Sequence, residues 1–181
     1  MAARNTYGGI MEKDLEKFAE IVEDMIIQLS YPDFDERSLK LGLPDSISKL
    51  HPKVYCMALK HEKAIVRLAA LRWFQDRAGI AKSHSKLVIE CLDDKDEWVR
   101  RETVHCLEKF ETVEEPVLAK MSELLSDPDL EVRKSTAKAL GKVGGKSTVV
   151  IEALQKASED ANHEVRWKAQ KALRKLGAYV A

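Results

Sequence analysis

Apolar positions along this chain follow two superposed periods. The short one is helical. From Val132, the residues at offsets 4, 7, 8 and 11 are Thr136, Ala139, Leu140 and Val143, one stripe on a helix. The long period is 33 residues. Val-Arg pairs stand at Val66-Arg67, Val99-Arg100, Val132-Arg133 and Val165-Arg166, each step 33 with no drift. The stripe returns with them as Ala70, Trp73 and Phe74, as Thr103, Cys106, Leu107 and Phe110, and as Ala169, Ala172, Leu173 and Leu176, broken only at Arg77. A shorter apolar set lies 11, 8 and 7 residues before each valine: Tyr55, Ala58 and Leu59; Val88, Cys91 and Leu92; Met121, Leu124 and Leu125; Leu154, Ala157 and Ser158. The pattern predicts one amphipathic helix pair per step, a helix A followed by the Val-Arg helix B. A single pair is too small to bury its stripes, so stacked pairs must share a continuous core.

Boundaries follow from local chemistry. Ser83, Thr112 and Ser147 are candidate starts of A helices, and Pro116 suits a first helical turn. Gly79, Gly144 and Gly177 are candidate stops of B helices. Residues 11–29 lie outside the long period but carry Leu15, Phe18, Val22, Met25, Ile26 and Leu29, a further amphipathic helix. The stretch after it is broken by Pro32, Gly42, Pro44 and Pro52. The expected layout within one domain is a flexible N-terminus at 1–10, a helical cap or diverged repeat at 11–51, and repeats over 52–181, placed at about 52–79, 83–112, 115–145 and 147–177.

The unit resembles a HEAT or HEAT-like repeat. The marks are an Asp in the A–B turn, at Asp94, Asp127 and Asp160, an Arg six residues later, at Arg100, Arg133 and Arg166, and the apolar stripe. "DPDLEVRKSTAKALGKVG", from Asp127 to Gly144, matches closely, whereas the first copy has His61 where the Asp belongs. The resemblance implies an all-α fold, a right-handed α-solenoid or superhelix. Such an Asp can accept N–H groups at the start of helix B, and the Arg can reach it or its neighbour's Asp, a structural ladder that fixes stacking register. Similar repeats occur in phycobilin lyases, which handle a bilin chromophore, but no residue here favours that role.

Composition narrows the function classes. Lys+Arg and Asp+Glu both number 30, so no overall polycation exists to hold nucleic acid without specificity. The first residues lack the apolar core of a secretion signal, and no apolar run spans a bilayer; a soluble, cytoplasmic protein without membrane contact is expected. Cys56, Cys91 and Cys106 lack paired ligand spacing and are expected as reduced thiols.

No catalytic, cofactor or metal motif emerges. Histidines stand at 51, 61, 84, 105 and 163, and do not fall at one register position. The HEAT-like deoxyhypusine hydroxylases bind iron through His-Glu pairs just after Val-Arg. Here those slots hold Leu68-Ala69, Arg101-Glu102, Lys134-Ser135 and Trp167-Lys168, which excludes that activity. "GGKST" at 144–148 lacks the preceding strand and first glycine of a phosphate loop, and reads as one helix stop followed by the next helix cap.

Charge is sorted, however. The helix-B offsets 2, 6, 9 and 10 are expected on the side away from the core. They hold nine basic residues and one histidine: Arg72, Arg101, His105, Lys109, Lys134, Lys138, Lys142, Lys171, Arg174 and Lys175. Trp167 stands among them, and only Asp76 and Glu108 are acidic. In HEAT-type solenoids B helices line the concave face. The expectation is a non-enzymatic interaction scaffold or adaptor that binds an acidic peptide or protein segment there. Nucleic-acid binding by the same face, as in HEAT-like alkylpurine DNA glycosylases, is the alternative. The last unit keeps its stripe, adds Trp167 and ends in "GAYVA" without a covering helix, which predicts self-association or partner docking at that end.

Overall fold

A computed structural model describes residues 3–28, 48–110 and 112–178. The expected turns around Pro32, Gly42 and Pro44, together with Leu29, lie outside these residues. Among the described residues ten α-helices follow one another: α1 (Ala3–Gln28), α2 (Pro52–Ala58), α3 (Ala64–Gln75), α4 (Ala78–Ser83), α5 (Ser85–Glu90), α6 (Glu97–Leu107), α7 (Glu115–Glu123), α8 (Leu130–Val143), α9 (Thr148–Ala157) and α10 (His163–Lys175). Short 3-10 turns, Cys91–Asp93 and Leu124–Ser126, extend α5 and α7. No strand occurs among the described residues.

The helices after α1 form four stacked pairs. The A layer is α2, α4 with α5, α7 and α9; the B layer is α3, α6, α8 and α10. All four period-marking valines, Val66, Val99, Val132 and Val165, are fully buried. The stripes on either side of them join one continuous core that runs through the stack. Adjacent B helices pack along more of their length than adjacent A helices.

α1 lies over the first pair and begins at Ala3, ahead of the apolar pattern from Met11. Phe18 and Val22 are buried there. Phe18 meets the Tyr55 ring edge-on at 5.4 Å, and Tyr55 stacks on Trp73 at 3.8 Å. The Trp73 indole N–H donates to the Ser48 carbonyl at 2.9 Å, and the Arg77 guanidinium sits 4.7 Å from its ring. Arg77 therefore leaves the apolar stripe yet still covers the core aromatic.

The caps correct several boundaries. Each later B helix starts at a side chain two residues beyond the turn Asp: Asp96 accepts from Val99 N, Asp129 from Val132 N and Asn162 from Glu164 N. Ser147 caps α9 as expected, and Pro116 lies in the first turn of α7. Thr112 does not cap: the residue at that position is Glu114, two residues before Pro116. Ser83 ends α4 rather than starting a helix, because His84, with φ −115° and ψ 22°, divides this A segment into two. Gly79 is no stop either, since α3 has already closed at Gln75 and Gly79 belongs to α4.

Gly177 is a stop in full. Its φ is +70°, Ala178 N donates to Leu173 O, and Gly177 N donates to Arg174 O, both orphan carbonyls being satisfied. At "GGKST", Gly144 ends α8 and Gly145, at φ +55°, turns the chain towards the Ser147 cap.

Gly141 lies at a close B–B approach. A Cβ there would lie 2.7 Å from Ala172 Cβ and 2.9 Å from Ala172 Cα. Gly141→Ala gains roughly 1 kcal/mol of helix propensity but must separate α8 from α10 against backbone. The expected net loss is ~1–3 kcal/mol, read by urea melts; an unchanged or raised midpoint would mean that the two helices have room to spare.

Candidate functional site

The Asp–Arg pairs bond between units, not within them. Arg67 grips Asp94 with Nε and Nη2 at 2.8 and 2.7 Å; Arg100 grips Asp127 at 2.7 and 2.8 Å; Arg133 reaches Asp160 at 2.9 and 3.5 Å. The remaining Nη1 turns back to the chain's own A–B turn. It donates from Arg67 to the His61 and Glu62 carbonyls, from Arg100 to Asp94 O, and from Arg133 to Asp127 O. Each Asp also takes the N–H two residues on, at Asp96, Asp129 and Asn162. One carboxylate thus shapes its own turn and docks the preceding unit. In the first unit His61 performs the turn half alone, its Nδ1 accepting Lys63 N at 3.2 Å.

Some cations of the expected basic face meet carboxylates of a neighbouring unit. Arg72 at offset 6 and Lys134 at offset 2 reach the next unit, Leu68 and Gly141 in the same set are buried, and Lys138 and Lys171 at offset 6 are exposed. Arg72 pairs with Glu102 at 2.7 Å, and Gln75 donates to the same oxygen at 2.6 Å. His105 lies 3.5 Å from the other Glu102 oxygen. Burial alone would raise the Glu102 carboxyl, but His105 and Arg72 outweigh it and hold the group down at about 2. Lys134 bridges Glu131 at 2.7 Å and Glu164 at 2.8 Å, hydrogen bonds that raise its ammonium pKa. Lys142 donates to the Glu108 carbonyl at 3.0 Å, with the Glu108 carboxylate 3.6 Å away, and Lys138 lies 3.9 Å from that carboxylate while staying exposed. Arg101 stacks on Trp98 at 5.4 Å.

Counting charges on the B-helix offsets missed these carboxylates, because Glu102, Glu131 and Glu164 fall on other offsets. A usable signal existed: Arg72 and Glu102 are 30 residues apart, and so are Lys134 and Glu164.

The last unit differs. Trp167 is 50% exposed, among the largest apolar surfaces on the described chain. Lys168 and Lys171 set their ammonium groups 5.3 and 4.9 Å from its ring centre. Neither lysine has a carboxylate within ion-pair distance among the described residues, and Arg174 is exposed beside them. Two lysines without an ion pair among the described residues thus flank an exposed aromatic ring.

The other chemistry-bearing side chains have structural places. His51 caps α2 by accepting Lys53 N, and His84 meets the Ile80 carbonyl at the α4–α5 break. Cys91 and Cys106 are buried free thiols, both pushed up by burial, Cys91 to about 12. Among the described residues no His, Cys, Asp and Glu group is arranged to hold a metal ion. No described helix is long and apolar enough to cross a membrane.

Residues 118–180 match the family model of HEAT repeats. No curated protein matches the chain. Among solved structures, a designed armadillo repeat protein in complex with the peptide (KR)4 aligns at TM-score 0.56 and 17% identity, over 90% of this chain and 91% of that one. An engineered protein aligns at TM-score 0.55 and 19% identity, over 87% and 79%. The complex of CpcE and CpcF of phycocyanin lyase from Nostoc sp. PCC7120 aligns at TM-score 0.50 and 18% identity, over 80% and 70%. At these identities the likeness concerns the fold. Over residues 118–180 the chain is similar to HEAT repeats, and the fold of its four helix pairs is an α-solenoid.

Proposed function

We propose that this chain is a non-enzymatic interaction module that holds an acidic protein segment against its last unit. The observation that carries the reading is the exposed Trp167 with two ammonium groups over its ring and no carboxylate among the described residues close enough to pair with them. An aromatic anchor flanked by two such lysines suits a segment with an apolar side chain among acidic ones. Stacked-helix scaffolds commonly serve such contacts, and one structural neighbour is in complex with a peptide. That peptide is basic, whereas the open charge on this chain calls for the opposite sign. Internal units contribute little to this surface, because Arg72, Lys134 and Lys142 already have partners.

The test is an anisotropy titration with a labelled Glu-rich decapeptide containing one leucine. Lys168→Glu with Lys171→Glu is expected to weaken binding about tenfold or more at low salt. Equal binding by the charge-reversed chain would overturn the reading. A duplex DNA that bound more tightly than the peptide, with a steep loss between two salt concentrations, would replace it with nucleic-acid binding.

A further inference from the structure

The ladder has an open rung. In the first three units the B-helix Arg gives Nη1 to its own turn and turns its Nε–Nη2 edge to the Asp of the next unit. Arg166 repeats the first half: its Nη1 donates to the Asp160 carbonyl at 2.8 Å and to the Ala161 carbonyl at 2.9 Å. These bonds orient the guanidinium as in Arg100 and Arg133. Its Nε and Nη2 meet no acceptor among the described residues.

The neighbouring positions point the same way. Lys171 occupies the offset of Arg72, which takes Glu102 from the following B helix. Trp167 occupies the offset of Lys134, which takes Glu164 at the start of the following B helix. Arg166, Trp167, Lys171 and Arg174 of α10 therefore occupy the positions whose counterparts Arg133, Lys134, Arg72 and Gln75 reach a following helix pair.

We propose that this end face docks a partner helix whose preceding turn supplies an aspartate to Arg166, in the geometry by which Arg100 holds Asp127. The proposal rests on the interaction-module reading and specifies its partner. The partner chemistry can be read from the internal rungs: an Asp, an Asp or Asn two residues later to cap the helix, and a Glu eight residues after the first Asp, as in Asp94, Asp96 and Glu102. A second copy of this chain is a poor occupant. Asp94, Asp127 and Asp160 are already held by Arg67, Arg100 and Arg133. The first unit offers His61 at that position, and α1 lies over that unit.

The probe is a labelled synthetic peptide of residues 94–110, carrying Asp94, Asp96 and Glu102, with Cys106→Ala to prevent oxidation, titrated against the full chain. Binding is expected to weaken about tenfold or more when the peptide carries Asp94→Asn, or when the chain carries Arg166→Gln or Arg166→Lys, since a charge-assisted bidentate pair is lost. Melting curves of the chain variants separate lost docking from lost folding, and the Asp94→Asn peptide tests the same pair on an unaltered chain. The Glu-rich decapeptide distinguishes the two claims. If it binds while the helix peptide and its Asp94→Asn variant bind alike, ladder docking is overturned and the interaction module stands. If neither probe binds, both fall. A wild type that sediments as a dimer in the absence of probe would overturn the choice of a partner over a second copy.

Discussion

Asp127→Ala is expected to cost ~3–5 kcal/mol, the scale for removing one member of a buried ion pair. The Asp127 side chain is 2% exposed and that of Arg100 is 12% exposed. The substitution removes both bonds to Arg100 and leaves the Asp129 N–H without its acceptor at the turn. What makes the cost large is the guanidinium left behind: it is held by its own turn carbonyl, is mostly shielded from water, and faces a vacated site. Asp127→Asn should cost less, because the amide oxygen can still accept at the turn while the charge is lost. Arg166→Ala is the internal control. Among the described residues Arg166 donates only to two carbonyls, so its loss should be about 1 kcal/mol. The ladder couples neighbours only, so the damage falls on the seam between the second and third units, and a lowered m-value would show that the two halves no longer unfold together. Urea melts of the three variants check this. A loss from Asp127→Ala no greater than that of Arg166→Ala would mean that apolar stacking alone sets the register.

The four helix pairs were legible because their cause is local and repeated. A valine that is fully buried in every copy, with its stripe on one helix face, is visible in any single unit. The aspartates and arginines were legible as a pair but not as a connection. Asp94 and Arg100 are six residues apart in sequence, yet Arg100 bonds Asp127, 27 residues on. Spacing along the chain cannot separate a contact to the residue's own turn from one to the next turn when both lie within reach. In fact the guanidinium uses both, carbonyl on one side and carboxylate on the other.

The carboxylates that meet several cations of the basic face were hidden for a related reason. Offsets on an isolated helix identify what faces away from its own partner, not what a neighbouring unit then covers. Arg72 and Lys134 lie away from the A layer and still meet Glu102 and Glu164 of the next B helix. The last unit, with no following helix among the described residues, matches the isolated-helix picture best. The break at His84 had no local signal at all: Ser83 looks like a start, yet α4 has already begun beside the Trp73 aromatic cluster, where His84 meets the Phe74 ring at 6.1 Å.

Glu102 should make the array sensitive to acid. Its side chain is 8% exposed and accepts from Arg72 and Gln75, with His105 at its second oxygen. Desolvation raises the carboxyl, and His105 and Arg72 more than reverse this, taking it from the ordinary 4.5 to about 2. A folded pKa below the unfolded one means that the stabilisation is fully present above about pH 4.5 and is lost as pH falls through about 2. A shift of this size corresponds to roughly 3 kcal/mol. Glu102→Ala at pH 7 should cost ~3–5 kcal/mol, since Arg72 would be left as an unpaired cation in the seam. Glu102→Gln keeps the shape and an acceptor, so its loss should be smaller, and its stability should fall less steeply than the wild type's between about pH 4.5 and 2. Replacing both partners, Arg72→Met with Glu102→Leu, should recover most of the loss at pH 7, because an apolar pair of similar volume carries no desolvation penalty. Urea melts of the four proteins at pH 7, 4 and 2.5 decide the matter. An acid limb of equal slope in wild type and Glu102→Gln would show that other carboxylates carry the pH dependence. A double variant no better than Glu102→Ala would show that the seam needs the charge pair for its fit, and not merely the absence of an unpaired ion.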